Sequence, residues 1–289
     1  MRPTFDLQSH SSWSDGELPP AGVVGAAASA GVELLALTDH DSVDGVDEAL
    51  ASGEAHGLKV VAGAELSALD GTREDLHVCA YLVDHHAPAF LATLHEFRAD
   101  RNARGARMLA ALAECGWALA RTAVDARAAG GAPVGRPHLA RAVWDHPGNR
   151  DRLEAERLTD AGAVLEAYLL PGAPAYRRRT TPTVQEAIGA IHDAGGLAVW
   201  AHPFWDLDED TAVLDAVDRF ASMGLDGVEC FYVTHTEAQT RLVTGHCERR
   251  GLLTTGSADF HGPGHRRFSA FRAFDTYDLT PRLGAIAEP

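Results

Sequence analysis

Imidazoles and carboxylates recur in seven short clusters along this chain of 289 residues, most of them where an apolar run gives way to a turn. The clusters are Gln8-Ser9-His10, Ser14-Asp15-Gly16, Thr38-Asp39-His40-Asp41, Gly63-Ala64-Glu65, Leu76-His77, Ala201-His202-Pro203 and Asp259-Phe260-His261-Gly262. A donor set of His, Asp and Glu without cysteine favours Zn2+, Mn2+ or Fe2+ over soft-metal or all-oxygen sites. The candidate ligands are His10, Asp15, His40, Glu65, His77, His202, Asp259 and His261, enough for two or three divalent ions. Ion clusters of that kind clamp a phosphoryl group and supply hydroxide as the nucleophile. The first cluster has a gap: where a second imidazole would complete a His-x-His pair, the chain carries Gln8.

Such residues meet only if the fold brings strand ends together. The first ~85 residues alternate strand and helix. Strands are expected at Phe5–His10, Leu34–Thr38, Lys59–Glu65 and Leu76–Val83, with helices from Pro20 to Ala30 and from Val43 to His56. The pattern changes after Pro88. A long helix from His95 to Cys115 leads into a region rich in Ala, Arg, Gly and Pro, with a short helix at Pro137–Trp144 and no strand of consequence. Alternation then resumes with helices at Thr183–Ala194, Glu209–Met223 and Glu237–Arg250, and strands at Leu197–Ala201, Gly227–Phe231 and Leu252–Gly256. Seven strands separated mainly by helices fit a (β/α) barrel better than an open doubly wound sheet, since no Gly-x-Gly-x-x-Gly loop is present. The expected division is a discontinuous barrel, residues 1–95 and 181–289, around a mostly helical insertion, residues 96–180.

On such a barrel the C-terminal strand ends share one mouth. His10, His40, Glu65, His202, Asp259 and His261 all sit at or just after such ends, and Asp15 lies in the first loop. His77 opens its strand, so it reaches the same mouth only if that strand runs antiparallel to its neighbours. The short link from Leu66 to Asp75 is consistent with such a hairpin.

Composition excludes several classes of function. At 46% hydrophobic and 23% charged the chain reads as globular. The net charge of −16 argues against coating long nucleic acid or an anionic membrane. It leaves room for a small anionic substrate, because bound cations invert the local potential. Four cysteines without Cys-x-x-Cys spacing suggest reduced thiols and a cytoplasmic protein, and no segment reads as membrane-spanning. Outside the clusters, His85, His86, His235, His246 and His265 are read as surface or satisfied core histidines. Asp41, Asp44 and Asp47 are read as the solvated start of a helix. Asp39 is read as orienting His40 or capping that helix, and Arg177-Arg178-Arg179 as an exposed patch rather than a clamp.

These residues, in this order, resemble the polymerase-and-histidinol-phosphatase (PHP) family of metal-dependent phosphoesterases. The resemblance rests on Asp6-Leu7-Gln8-Ser9-His10 through Ser14-Asp15-Gly16, Leu37-Thr38-Asp39-His40-Asp41, Gly63-Ala64-Glu65-Leu66-Ser67, Leu76-His77, Ala201-His202-Pro203 and Gly256-Ser257-Ala258-Asp259-Phe260-His261-Gly262. In the insertion, Val134-Gly135-Arg136-Pro137-His138 is similar to a segment of stand-alone members acting on nucleoside 3′,5′-bisphosphates and short oligonucleotides.

The resemblance implies a distorted (β/α)7 barrel, a helical insertion over its mouth and a cluster of two or three metals. It places His10, Glu65 and Asp259 around one ion with position 8. A second ion would take Glu65, His77 and His202, and a third Asp15, His40 and His261. Arg136 and His138 would bind the substrate phosphate. The implied activity is phosphomonoester hydrolysis by attack of a metal-bound hydroxide, with His202, His261 and Asp259 central to the reaction. The alternatives are an amidohydrolase-like or phosphodiesterase hydrolase, or a phosphate- or nucleotide-binding protein weakened by Gln8, whose neutral amide is a poorer ligand than imidazole.

Overall fold

The structure is a computed structural model that describes residues 3–207 and 209–288. One unit comprises residues 1–94 and 182–289, the other residues 95–181. The first unit is built on β1 (Phe5–Asp6), α1 (Pro20–Ser29), β2 (Leu34–Leu37), α2 (Val46–His56), β3 (Lys59–Asp70) and β4 (Arg73–Tyr81). The chain leaves it along α3 (Pro88–Glu114). The second unit adds α4 (Thr122–Ala129), α5 (Arg136–Trp144), α6 (Arg150–Ala155) and α7 (Ala161–Tyr168). The chain then returns through α8 (Val184–Asp193), β5 (Leu197–Trp200), α9 (Pro203–Asp206), α10 (Asp210–Ser222), β6 (Gly227–Tyr232), α11 (Glu237–Arg250) and β7 (Leu253–Ser257).

The seven strands form one sheet in sequence order, β1 to β7. The two ends of the sheet approach each other: Leu7 N donates to Gly256 O at 3.2 Å, and Ser9 bridges Phe260 in parallel. The result is the distorted (β/α)7 barrel. All neighbours run parallel except at β4, which is antiparallel to both β3 and β5. The β3–β4 connection is a tight hairpin turning at Gly71, whose φ of 62° suits glycine. The hairpin is longer than expected, because β3 continues five residues past Glu65. Conversely β1 is only two residues long, and the chain from Leu7 to His10 is held by a bridge and single hydrogen bonds rather than a ladder.

Helices cover the outside of the sheet because their apolar positions recur at helical spacing. On α8, Val184, Ala187, Ile188 and Ile191 are buried, and Thr183 caps the helix by accepting from Glu186 N while Glu186 reaches back. Fully burying side chains of this size stabilises the fold by roughly 1.5–3 kcal/mol each. Val23, Val24 and Ala27 of α1 pack with Leu35 and Leu37 of β2. Trp200 of β5 meets Phe220 of α10 edge-on at 5.1 Å. The one-turn α9, which periodicity does not reveal, follows His202 directly.

In the second unit, Leu112, Leu139, Val143, Leu153 and Val164 form a separate apolar core. The Arg152 guanidinium lies 3.9 Å from the Trp117 ring centroid. The Arg177–Arg179 run is not the uniformly exposed patch the sequence suggests: Arg179 is buried and the Arg177 carbonyl accepts from Arg104 Nε at 2.7 Å.

His235 is a core histidine, one of the two readings the sequence allows for it. Its Nδ1–H donates to Cys230 O at 3.1 Å while its ring packs between Phe204 and Tyr232. Burial pushes its pKa down from 6.5 to about 4. Above pH 6.5 the ring is neutral in both folded and unfolded chains; as pH falls towards 4 only the unfolded chain gains the proton, so stability is lost. Relative to His235→Asn, the wild type should lose up to about 3 kcal/mol between those limits. Urea unfolding of both proteins at several pH values measures this, and a pH-independent difference would refute it.

Candidate metal centre

The loops after the strands are laced together before any side chain is considered. His10 N donates to Phe260 O at 2.8 Å, joining the first and last ligand segments. Glu65 N donates to Asp39 O at 3.1 Å and Asp41 N to Glu65 O at 2.9 Å, so the second and third segments exchange bonds. Because β4 runs backwards, His77 lies beside Ser67 at the middle of that strand, not at its start as expected, since β4 begins at Arg73; its carbonyl accepts from Ala201 N at 3.0 Å. His202 and Asp259 adopt left-handed backbone, φ 31° and 53°. Such conformations cost non-glycine residues energy and persist where surrounding bonds impose them. Here His202 N donates to Glu229 Oε2 at 2.8 Å and Asp259 N to Ser257 Oγ at 3.2 Å.

Three overlapping groups of donor atoms result. His10 Nε2 lies 3.0 Å from Glu65 Oε2 and 3.1 Å from Asp259 Oδ1. The other Glu65 oxygen, Oε1, lies 2.7 Å from His77 Nδ1 and 3.2 Å from His202 Nε2, and those two imidazole nitrogens are 3.2 Å apart. Asp15 sits 3.7 Å from His10 Nδ1, 3.6 Å from His40 Nε2 and 3.5 Å from His261 Nε2. His40 joins the groups, with Nδ1 3.3 Å from Glu65 Oε2. All eight candidate ligands therefore converge, and Glu65 stands between two of the groups.

The first group fits a divalent ion on geometry and on charge. His10 Nε2, Glu65 Oε2 and Asp259 Oδ1 are buried and have no hydrogen-bond partner among the described residues, although the two carboxylate oxygens approach the imidazole nitrogen to about 3 Å. Ligand atoms about 2.1 Å from one small cation, near right angles, lie about 3 Å from one another. Burial disfavours charge on His10, but the Asp259 and Glu65 carboxylates outweigh it and hold its pKa well above the usual value. Burial likewise raises Glu65, yet the neighbouring imidazoles, His77 and His40 foremost, pull it well below the carboxylate range. Asp259 is drawn down to about 2, with His261 and His10 overcoming desolvation. The site thus favours positive charge at its centre.

A second layer of residues holds the candidate ligands, and apart from Asp6 the sequence did not single it out. Tyr232 OH donates to Asp259 Oδ2 at 2.7 Å. Glu229, the acid in the otherwise apolar strand β6, holds the His202 backbone, and burial raises its pKa to about 8. Asp6 accepts from Ala258 N and Arg272 N beneath the site, its pKa lifted by burial to about 7. A lone acid in an apolar strand run is the signal that would have found Glu229.

Asp39 neither orients His40 nor caps α2. It accepts from Ser11 N, Ser11 Oγ and Ser14 Oγ at 2.6–2.7 Å, organising the loop after His10. Asp41 is buried rather than solvated, accepting from Ser67 N at 2.9 Å.

Gln8 is fully buried. Its Oε1 accepts from Ser257 Oγ at 3.2 Å and its Nε2 has no hydrogen-bond partner among the described residues. Ser257 Oγ in turn accepts from Asp259 N, so the amide touches the ligand framework through a serine. Asp47, His85 and His86 form a separate exposed grouping, with His85 Nε2 2.9 Å and His86 Nε2 3.3 Å from Asp47 Oδ1. Arg136 and His138 belong to the second unit, where they open α5 and Gly135 N donates to His138 Nδ1 at 3.0 Å.

Tyr232→Phe removes the donor to Asp259 while keeping the ring. Loss of such a support weakens metal binding by about tenfold or more. Chelator competition against Mn2+ is the measurement, and unchanged affinity would show that Tyr232 does not hold the ligand.

The PHP domain pattern matches residues 6–128. A 3′,5′-nucleoside bisphosphate phosphatase of Chromobacterium violaceum is 32% identical over 261 residues, 90% of this chain and 88% of that protein. The structure of an amidohydrolase from Chromobacterium violaceum with bound sulfate and no metal is similar at a TM-score of 0.79 and 30% identity, covering 93% of this chain and 91% of that one. A Bifidobacterium adolescentis chain assigned as a metal-dependent phosphoesterase gives a TM-score of 0.78 at 26% identity, over 92% of this chain and 91% of the other. Identity sustained across nearly the full length of both chains, together with the barrel and its convergent donor atoms, means that the protein belongs to the PHP family of metal-dependent phosphoesterases.

Proposed function

We propose that the chain hydrolyses a small phosphomonoester, a nucleoside 3′,5′-bisphosphate before a short oligonucleotide. Its two or three divalent ions, Mn2+, Fe2+ or Zn2+, would be held by His10, Asp15, His40, Glu65, His77, His202, Asp259 and His261. The observation that carries this reading is the convergence of His10 Nε2, Glu65 Oε2 and Asp259 Oδ1, buried and without hydrogen-bond partners among the described residues. The substrate class follows from the bisphosphate phosphatase that shares 32% identity.

When bound, the ions would lower the pKa of the attacking water and neutralise charge on the phosphoryl oxygens. The protein's own contribution is to hold that centre rigid. Glu65 keeps two ligand groups in register, Tyr232 and Ser257 fix Asp259, and Glu229 fixes the strained backbone at His202. His202, His261 and Asp259 act here as ligands rather than as proton donors. Arg136 and His138 are assigned to the substrate phosphate, Arg136 by a bidentate fork. The net charge of −16 disfavours long nucleic acid, no described helix is long and apolar enough to cross a membrane, and four unbridged cysteines support a cytoplasmic setting.

Phosphate release should be measured on a nucleoside 3′,5′-bisphosphate, a short oligonucleotide, a cyclic phosphodiester and an amide after loading with each metal. The bisphosphate should be cleaved, and Asp259→Ala or His40→Ala should reduce the rate by about a hundredfold or more. Hydrolysis that survives both substitutions sinks the ligand assignment. Gln8→His should raise metal affinity by about tenfold. A wild type that retains metal but cleaves nothing, beside an active Gln8→His variant, would instead make the natural protein a binder.

A further inference from the structure

Two large apolar side chains are exposed among the described residues, Trp13 at 40% and Trp205 at 48%. Each lies three positions after a candidate ligand, Trp13 after His10 and Trp205 after His202. The remaining large aromatic surface is mostly withdrawn from water, so apolar rings left in these two loops call for a reason. Trp13 lies against Gly45 at the start of α2. Trp205 is joined to the ligands through other rings. Its centroid is 5.8 Å from Phe268, and Phe268 is 5.5 Å from the His261 ring and 6.2 Å from Tyr232. His265 stacks on Phe268 at 5.1 Å with 19° between planes, and the Arg267 guanidinium lies 5.1 Å from the Trp205 centroid.

A continuous aromatic surface therefore runs from His261 to an exposed indole in two ring-to-ring steps. A flat, electron-rich, water-exposed ring is a stacking partner for a heteroaromatic base, and Phe268 restrains its edge. In a nucleotide the ribose sets the base apart from the phosphate, so a phosphate held among the ligands leaves the base able to reach a ring outside them. We propose that Trp205, braced by Phe268 and Arg267, is the surface on which the substrate's nucleobase stacks, which rests on the nucleotide reading above. Binding energy gathered there would hold the phosphate in position at the ligands.

The test compares kcat/KM for a nucleoside 3′,5′-bisphosphate with that for glycerol phosphate, which has no base, in wild type, Trp205→Ala and Trp205→Phe. Because Trp205 is half exposed, both variants should fold, and thermal unfolding checks this. The ratio of the two kcat/KM values should fall about tenfold in Trp205→Ala, chiefly through KM, and recover largely in Trp205→Phe. Equal losses on both substrates, or a ratio within about twofold of wild type, overturn the stacking role alone. A wild type that cleaves glycerol phosphate and leaves the bisphosphate intact overturns the nucleotide reading itself.

Discussion

Glu65 places a carboxylate almost wholly out of water, with His10, His40, His77 and His202 within 3.3 Å of one or other of its oxygens. A buried carboxylate is costly unless positive charge or hydrogen-bond donors surround it. In this protein those neighbours come from four different segments of the chain, so satisfying one side chain requires closing the barrel. The same oxygens stand between two of the donor groups, so the electrostatic demand of Glu65 and the assembly of the metal centre are one problem. Asp259 closes the arrangement from the last strand, tied by Tyr232 and through its backbone by Ser257.

The reversed strand β4 is the topological consequence. A parallel β4 would have presented His77 at the opposite end of the barrel from Glu65. The hairpin at Gly71 turns the chain back with no intervening helix, and His77 reaches Glu65 Oε1 from the middle of its strand. Departure from regular (β/α) alternation is thus what brings His77 to the other candidate ligands. The left-handed backbone at His202 and Asp259 has a similar origin. Turning a side chain into the mouth immediately after a strand demands a sharp bend, and Glu229 and Ser257 hold the bends.

Gln8 is tied into this framework by a hydrogen bond. Imidazole at that position would offer a ligand; the amide instead uses its oxygen on Ser257, which also receives the Asp259 N–H. The contact keeps Gln8 coupled to the geometry of Asp259 without a strong donor pointed at an ion. A neutral amide oxygen in hydrogen-bonded use is a weak competitor for a divalent cation. The remaining donors at that position, His10, Glu65 and Asp259, are intact and mutually close.

Much of this was legible in the sequence because it follows from local rules. Clustering of His, Asp and Glu near strands, alternation of apolar runs with helical periods, and glycines after helices pointed to the barrel and to the eight side chains that the fold brings together. The reading that His77 needs an antiparallel strand also follows from side-chain alternation alone. The supporting residues were not legible. Asp39 pairs with Ser11 and Ser14 across 25 or more residues, Tyr232 with Asp259 across 27, and Gln8 with Ser257 across 249. No periodicity encodes such pairs, because a polar atom that leaves water takes whichever donor the packed fold brings within reach. The sequence by itself determined which imidazoles and carboxylates are available and that most of them follow strands, Glu65 and His77 standing instead within β3 and β4. Only the tertiary structure decided that Glu65 is shared, that Gln8 turns to Ser257 and that Trp205 stands exposed beside His202, since each depends on distances between segments that the chain order leaves open.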